Sequence, residues 1–144
     1  MSPNSLQGVA GLDEMMLRAS EALARTSYFE CERLCVRALA RARNANDFER
    51  MARICLPLQE ARRWTRQTAL DEGFRGVVTA PRRMEEPLET GCYLIAPPMV
   101  GVEAAAFRAH AAGRRVPVFV LTRDPTTRAG RWPVVGVGGG EPVP

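Results

Sequence analysis

The chain has 144 residues, enough for one ordinary domain or two very small ones, which excludes a large multidomain protein. Its 46% hydrophobic and 25% charged residues are typical of a globular protein and exclude wholesale disorder. The net charge of +4 comes from 20 arginines against 16 acidic residues, because the sequence contains no lysine.

The arginine bias has two interpretations. Arginine is well suited to bidentate contacts with phosphate and carboxylate groups, so the bias could mark a binding surface. A genome rich in G and C also favours arginine, alanine and proline codons, and the abundance of alanine and proline in this chain favours that second interpretation.

The cellular location is predicted from the segments that the sequence lacks, and both ends of the chain are expected to be flexible. No apolar run approaches the roughly 20 residues of a membrane-spanning helix. Residues 1–11 lack the basic and apolar blocks of a signal peptide. We therefore expect a cytoplasmic protein with no membrane partner, flexible at residues 1–11 and 138–144.

Two helices are predicted first. Apolar residues recur at helical intervals from Leu12 to Leu23, which predicts an amphipathic helix that starts at Leu12 and ends near Thr26. Ser27, with Glu30 three residues later, predicts a capping box at the start of a second helix. An apolar stripe over residues 31–42 continues that helix.

A third helix is predicted from residue 48, with Asn46 or Asp47 as its N-cap. Pro57 falls inside this helix and predicts a kink or a break near Leu56, because proline lacks a backbone N–H and clashes with the preceding turn. Gly73 is the expected stop. Helical residues therefore fill 12–72.

The helical segment resembles a tetratricopeptide repeat. Tyr28 and Phe29 precede a terminal Ala38-Leu39 pair, as in the second helix of such a repeat, and residues 46–49 resemble the start of the next one. The spacing from Leu12 fits the family's period of about 34 residues. The resemblance covers residues 12–70, roughly one and a half repeats, whereas three or more are normally needed for stability.

The resemblance implies an antiparallel three-helix segment that binds a peptide or a partner protein in a groove between helices. The residues that would take part are arginines and one tryptophan: Arg37, Arg41, Arg62, Arg63 and Trp64. Two other interpretations remain open, because a generic helical bundle has the same periodicity and an exposed arginine row is often only a solvated face.

The pattern changes at residue 73, where short β-branched runs bounded by glycine and proline replace helical stripes. Strands are predicted at residues 76–79, 92–96, 116–121 and 132–137, and an alanine-rich helix at 100–113. The middle three elements form a βαβ unit, so their strands should be parallel and buried. The loop at residues 124–131 suits a hairpin. Residues 73–137 thus form a small sheet of three or four strands, and the fold class is α+β.

Two loops at the strand ends are candidates for an anion site, since ligands of open α/β sheets bind beyond the carboxyl ends of the strands. A phosphorylated ligand there would be held by a helix N-terminus and by loop residues: Gly101, Arg123, Asp124 and Arg128. The first loop has too few glycines for a phosphate-binding Walker loop or a dinucleotide fingerprint, so ordinary structural turns are the alternative.

The cysteines and the single histidine favour a non-catalytic protein. Cys31 and Cys35 lie on the apolar stripe and are predicted to be core, although a metal site completed by Cys55 or His110 is the alternative. No catalytic motif occurs, and we expect no cofactor and no metal.

The sequence thus favours an interaction or adaptor protein whose partner is another protein or a second copy of the chain. A phosphate- or nucleotide-binding module and an RNA-binding protein are the alternatives, and the scarcity of aromatic stacking residues weighs against the last.

Overall fold

The computed structural model describes residues 3–81, 86–123 and 134–137, with side chains from residue 7 onward. Three helices come first and a small sheet with one further helix follows, which confirms the α+β class. The elements are α1 (Pro3–Ala24), α2 (Tyr28–Asn44), α3 (Phe48–Glu72), β1 (Phe74–Val78), β2 (Gly91–Ile95), α4 (Gly101–Gly113), β3 (Val118–Arg123) and β4 (Val134–Gly136). The chain divides into two compact units, Met1–Thr65 and Arg66–Pro144.

The first unit is built around one apolar core shared by α1, α2 and α3. Each helix contributes its periodic stripe, because residues three and four apart lie on one face of a helix. The predicted core position of Cys31 and Cys35 is confirmed, since both thiols are buried. The fully enclosed larger side chains of this core are Leu34, Ile54, Cys31 and Cys35.

The first helix begins earlier than predicted. It starts at Pro3 and so includes most of the segment for which a flexible terminus was expected. Proline suits the first position of a helix, because its fixed φ matches the helical value and its missing N–H is not needed there.

The capping box predicted for α2 is wrong. Ser27 does occupy the N-cap position, but its side chain makes no capping hydrogen bond. In a capping box the Glu30 carboxylate would accept a hydrogen bond from the N–H of Ser27. That N–H donates instead to the carbonyl of Ala22 at 2.8 Å. The Glu30 carboxylate lies 3.8 Å from the guanidinium of Arg25.

No break occurs near Leu56, because α3 continues through Pro57 to Glu72 as one helix. The kink, which is the other expectation at this position, stays a prediction. Packing of its apolar face in the core compensates for the hydrogen bond that proline removes. Asp47 is the residue that caps this helix, accepting from the N–H of Arg50 at 3.1 Å. Gly73, with φ +83°, follows the last helical residue as predicted.

Three helices end in the same turn, in which a residue with positive φ is followed by an N–H that donates back to a buried alanine. The positive-φ residues are Thr26, Asn46 and Arg115. The returning hydrogen bonds are Ser27 to Ala22 at 2.8 Å, Asp47 to Ala42 at 2.8 Å and Val116 to Ala111 at 2.9 Å. The connections after α1 and α2 are therefore short, at three residues each.

The second unit contains a sheet whose described strands lie in the order β1-β2-β3-β4. The pairs β1–β2 and β2–β3 are parallel, and β3–β4 is antiparallel. The predicted βαβ unit is confirmed, with α4 packed on β2 and β3 and the ring of Phe107 lying 5.1 Å from that of Tyr93. Strand β1 begins earlier than predicted, and Trp132, placed in the last predicted strand, lies outside the described residues.

Across residues 3–81 and 86–123, no helix has both the length and the apolar character needed to cross a bilayer.

Candidate functional site

A cleft opens between α1, α2 and α3 in the first unit and encloses about 210 Å³. Its floor is apolar and buried, whereas Leu56 at its rim is 71% exposed. The lining residues are Met16, Ala19, Ser20, Cys35, Ala38, Arg53, Ile54, Leu56 and Pro57. A buried apolar floor beneath an exposed leucine is the arrangement expected of a docking site for an apolar side chain.

Small residues and a proline produce this cleft. Ala19 and Ala38 face the space from α1 and α2, where larger side chains would fill it. Pro57 has no N–H with which to bond the carbonyl of Arg53 one turn earlier, and both residues line the cleft. The carbonyl of Arg53 therefore lacks its usual helical donor.

The charged groups near the cleft are paired with one another. Arg50 donates to Asp13 of α1 at 2.8 Å and to Asp47 at 2.7 Å, which ties the start of α3 to α1. The side-chain hydrogen bond from Arg50 lowers the pKa of the Asp13 carboxyl, and the backbone N–H of Arg50, together with its guanidinium, lowers the pKa of the Asp47 carboxyl. Arg53 pairs with Glu49 at 2.5 Å.

The two thiols of α2 are not suited to chemistry. Their Sγ atoms lie 3.9 Å apart, and burial raises the pKa of Cys31 and raises that of Cys35 to about 12. Both therefore stay protonated near neutral pH, whereas thiolates are the nucleophiles and metal ligands. Within the described ranges, no three side chains of histidine, cysteine, aspartate or glutamate are placed to hold a metal ion.

A second groove, of about 920 Å³, lies where α2 turns into α3. Phe48 on its wall is 71% exposed, but Leu12 is the only deeply buried residue in its lining. The remaining walls are turn residues and exposed helix positions. This groove offers less buried apolar surface than the cleft and is the weaker candidate.

Three of the five predicted partner-binding residues come together on α3. Trp64 stacks on Tyr28 with ring centroids 6.1 Å apart, and the guanidinium of Arg63 lies 4.9 Å from the Trp64 ring. Arg62 pairs with Glu32 at 2.9 Å. The stacking of Trp64 on Tyr28 and the pairing of Arg62 with Glu32 join α3 to α2, whereas Arg63 contacts Trp64 on its own helix.

Arg37 and Arg41 are exposed on α2. Within the described residues, no hydrogen bond, ion pair or ring contact joins them to Arg62, Arg63 or Trp64. The assignment of these five residues to partner binding stays a prediction.

The predicted anion site is described only in part. Gly101 begins α4 and Arg123 ends β3, but Asp124 and Arg128 lie outside the described residues. The backbone N–H of Val100 donates to the carboxylate of Glu103 at 2.9 Å, so a negative charge already lies at the N-terminus of α4. Repulsion from this carboxylate opposes phosphate binding at that end of the helix.

The cleft was not predicted from the sequence, because its walls come from three helices whose contacts are tertiary. Pro57 inside an apolar stripe was the one local signal. The sequence predicts a kink or a break in α3 at this residue, and in the structure Pro57 lies on the wall of the cleft.

No family model, no curated protein and no solved structure matches the chain.

Proposed function

We propose that the protein is a non-catalytic interaction or adaptor protein that holds a segment of a partner protein in the cleft between α1, α2 and α3. The observation that carries this proposal is the buried apolar floor beneath the exposed Leu56. Pockets for small molecules typically enclose roughly 300–1,000 Å³. The cleft is smaller, at about 210 Å³, and suits one inserted side chain of a protein partner.

The resemblance to tetratricopeptide repeats supports the same proposal. Helices of that family bind partner segments in grooves between them, and α1, α2 and α3 correspond to one and a half such repeats, roughly. The carbonyl of Arg53 would add a polar contact, since it is free of its usual helical donor and can accept from an N–H of the bound segment.

The experiment replaces the rim leucine. Tagged wild-type protein and Leu56→Glu are purified from the protein's own cells, and bound proteins are identified by mass spectrometry. The matched control is Leu70→Glu, an exposed leucine on the same helix that does not line the cleft. A partner that buries a leucine gains about 1.5–3 kcal/mol, so its affinity for Leu56→Glu should fall by about tenfold or more.

The outcome depends on which bound proteins are recovered with wild type, Leu56→Glu and Leu70→Glu. A protein partner bound by wild type and by Leu70→Glu, but lost from Leu56→Glu, supports the proposal. Equal recovery on all three proteins contradicts it. Nucleic acid recovered in place of a protein, with binding that falls steeply as salt rises, would favour the RNA alternative.

A further inference from the structure

The outer face of α2 carries a row of three arginines that have no carboxylate partner. Arg33, Arg37 and Arg41 follow one another at four-residue intervals, so they lie on one side of the helix, and all three are exposed. Within the described residues, no side-chain ion pair or hydrogen bond engages them. At 1.5 Å per helical residue the row is about 12 Å long. It is therefore a line of positive charge on the surface of the first unit.

The side of α2 that carries the row has one acidic residue. Glu30 lies one turn before Arg33, and its carboxylate is 3.8 Å from the guanidinium of Arg25, which offsets its charge. The other residues of α2 that lie one turn from a member of the row are uncharged. Val36 is the one large apolar side chain of this helix that is exposed, at 45%. Along the row, the surface of α2 thus presents charge of one sign.

Elsewhere in the first unit, arginines lie beside carboxylates. On α3, Arg53 pairs with Glu49 four residues away, and Arg63 pairs with Glu60 three residues away. On α1, Arg18 has an acidic residue one turn away on both sides. Like charges four residues apart destabilise a helix, so the row on α2 lowers stability where the pairs on α3 raise it. Codon bias can set the number of arginines, but it does not account for a row that lacks carboxylates.

A partner whose negative charges form a regular line would complement this row, and a nucleic-acid duplex has such a line. Its backbones carry about one negative charge per 1.7 Å of axis, so a row of about 12 Å faces several phosphates. Guanidinium groups bind phosphate oxygens through two parallel hydrogen bonds. An acidic protein fits less well, because the centre of a protein interface is apolar and rich in aromatic residues, whereas one valine is exposed beside the row.

We propose that the arginine row of α2 binds the phosphate backbone of double-stranded DNA. A duplex is favoured over a single strand, because single-strand sites add aromatic side chains on which bases stack, and α2 exposes none. DNA is favoured over an RNA duplex, whose recognition uses 2′-hydroxyl contacts in addition to phosphates, since the row offers guanidinium groups alone. Phosphate contacts carry no sequence information, so binding should not depend on base sequence. This inference is independent of the cleft and goes beyond the proposed function.

The test measures the affinity of the full chain for a short, fluorescently labelled DNA duplex by anisotropy at a series of low salt concentrations. Three phosphate contacts predict that log affinity falls with log salt at a slope of about −2.7. Arg33→Ala and Arg41→Ala should each reduce the size of this slope by about 0.9. Arg43→Ala is the matched control and should bind like wild type, since Arg43 is exposed on α2 but faces away from Arg41.

The variant Arg37→Glu separates binding from folding. It places a carboxylate four residues from both Arg33 and Arg41, so its melting temperature should be higher than that of wild type by a few degrees. The same carboxylate repels the phosphates, so the affinity for the duplex should fall by about tenfold or more. A row that is only solvated predicts the gain in melting temperature with no change in binding.

Loss of duplex binding in the row variants, with binding by Arg43→Ala retained, supports the inference. A wild type that does not bind the duplex at low salt overturns it, as does binding that the row variants leave unchanged. Polyglutamate that competes as well as the duplex would assign the row to an acidic protein instead. Tighter binding of single-stranded DNA or of an RNA duplex also contradicts the inference. Leu56→Glu should bind the duplex normally, so a failure here is separate from a failure of the proposed partner binding.

Discussion

The buried thiol of Cys35 should make the protein less stable in alkaline solution. Its pKa is about 12 in the folded chain, against 9.0 for an exposed thiol, because burial penalises the thiolate. Between pH 9 and 12 the unfolded chain loses this proton while the folded chain keeps it. The free energy of unfolding should therefore fall as pH rises through this window, by at most about 1.4 kcal/mol per pH unit.

The measurement is urea unfolding of wild type and Cys35→Ala at a series of pH values from neutral to alkaline. Alanine removes the ionising group at a modest packing cost, so the variant should lose less stability than wild type above pH 9 and show the same pH dependence below it. Parallel curves for the two proteins throughout the range would show that the Cys35 thiol ionises equally in both states.

At the scale of elements, the ends of α1, α2 and α4 have the same turn, and its positive-φ residue has a backbone strain that glycine should relieve. Left-handed backbone costs a side-chain-bearing residue roughly 1–2 kcal/mol, and most for a β-branched one. Thr26, with φ 60°, should gain most from replacement by glycine, and Asn46, with φ 54°, should gain least, because asparagine tolerates this conformation. Glycine's greater unfolded-state entropy offsets part of the gain.

We expect Thr26→Gly to stabilise the first unit by about 0.5–1 kcal/mol, seen as a melting temperature higher by a few degrees. Thr26→Ala is the matched control, since alanine keeps the Cβ that opposes left-handed backbone and should give a smaller increase than glycine. A gain with alanine equal to that with glycine would assign the effect to loss of the threonine side chain and not to the backbone.

The elements that the sequence predicted well are those whose pattern is local. The stripe of α2, the stop at Gly73 and the βαβ unit depend on spacing within a few residues. The capping box failed because the turn after α1 already uses the N–H of Ser27, which donates to Ala22. No break occurs at Pro57, because tertiary packing holds the helix together. The packing effect involves all three helices and cannot be read from a short window of sequence.

At the scale of the whole molecule, the candidate site residues also divide into those with a local pattern, which the sequence predicts, and those with tertiary contacts, which it does not. Charge and exposure of Arg37 and Arg41 were predictable from their helical positions. The pairing of Arg62 with Glu32 and the stacking of Trp64 on Tyr28 were not, because they join residues about 30 positions or more apart in the chain. The cleft needs all three helices in place, so only the folded structure shows it.

The two units should lose their protection against hydrogen exchange separately. Leu34 is 2% exposed, and the core it belongs to consists of residues within Met1–Thr65, whereas Ile95 belongs to a core within Arg66–Pro144. Leu34→Ala should cost about 2–5 kcal/mol and speed amide exchange in α1 and α2, while β2 and β3 stay protected. Ile95→Ala should have the converse effect. If either substitution speeds exchange equally in both units, the chain unfolds as one cooperative domain despite having two cores.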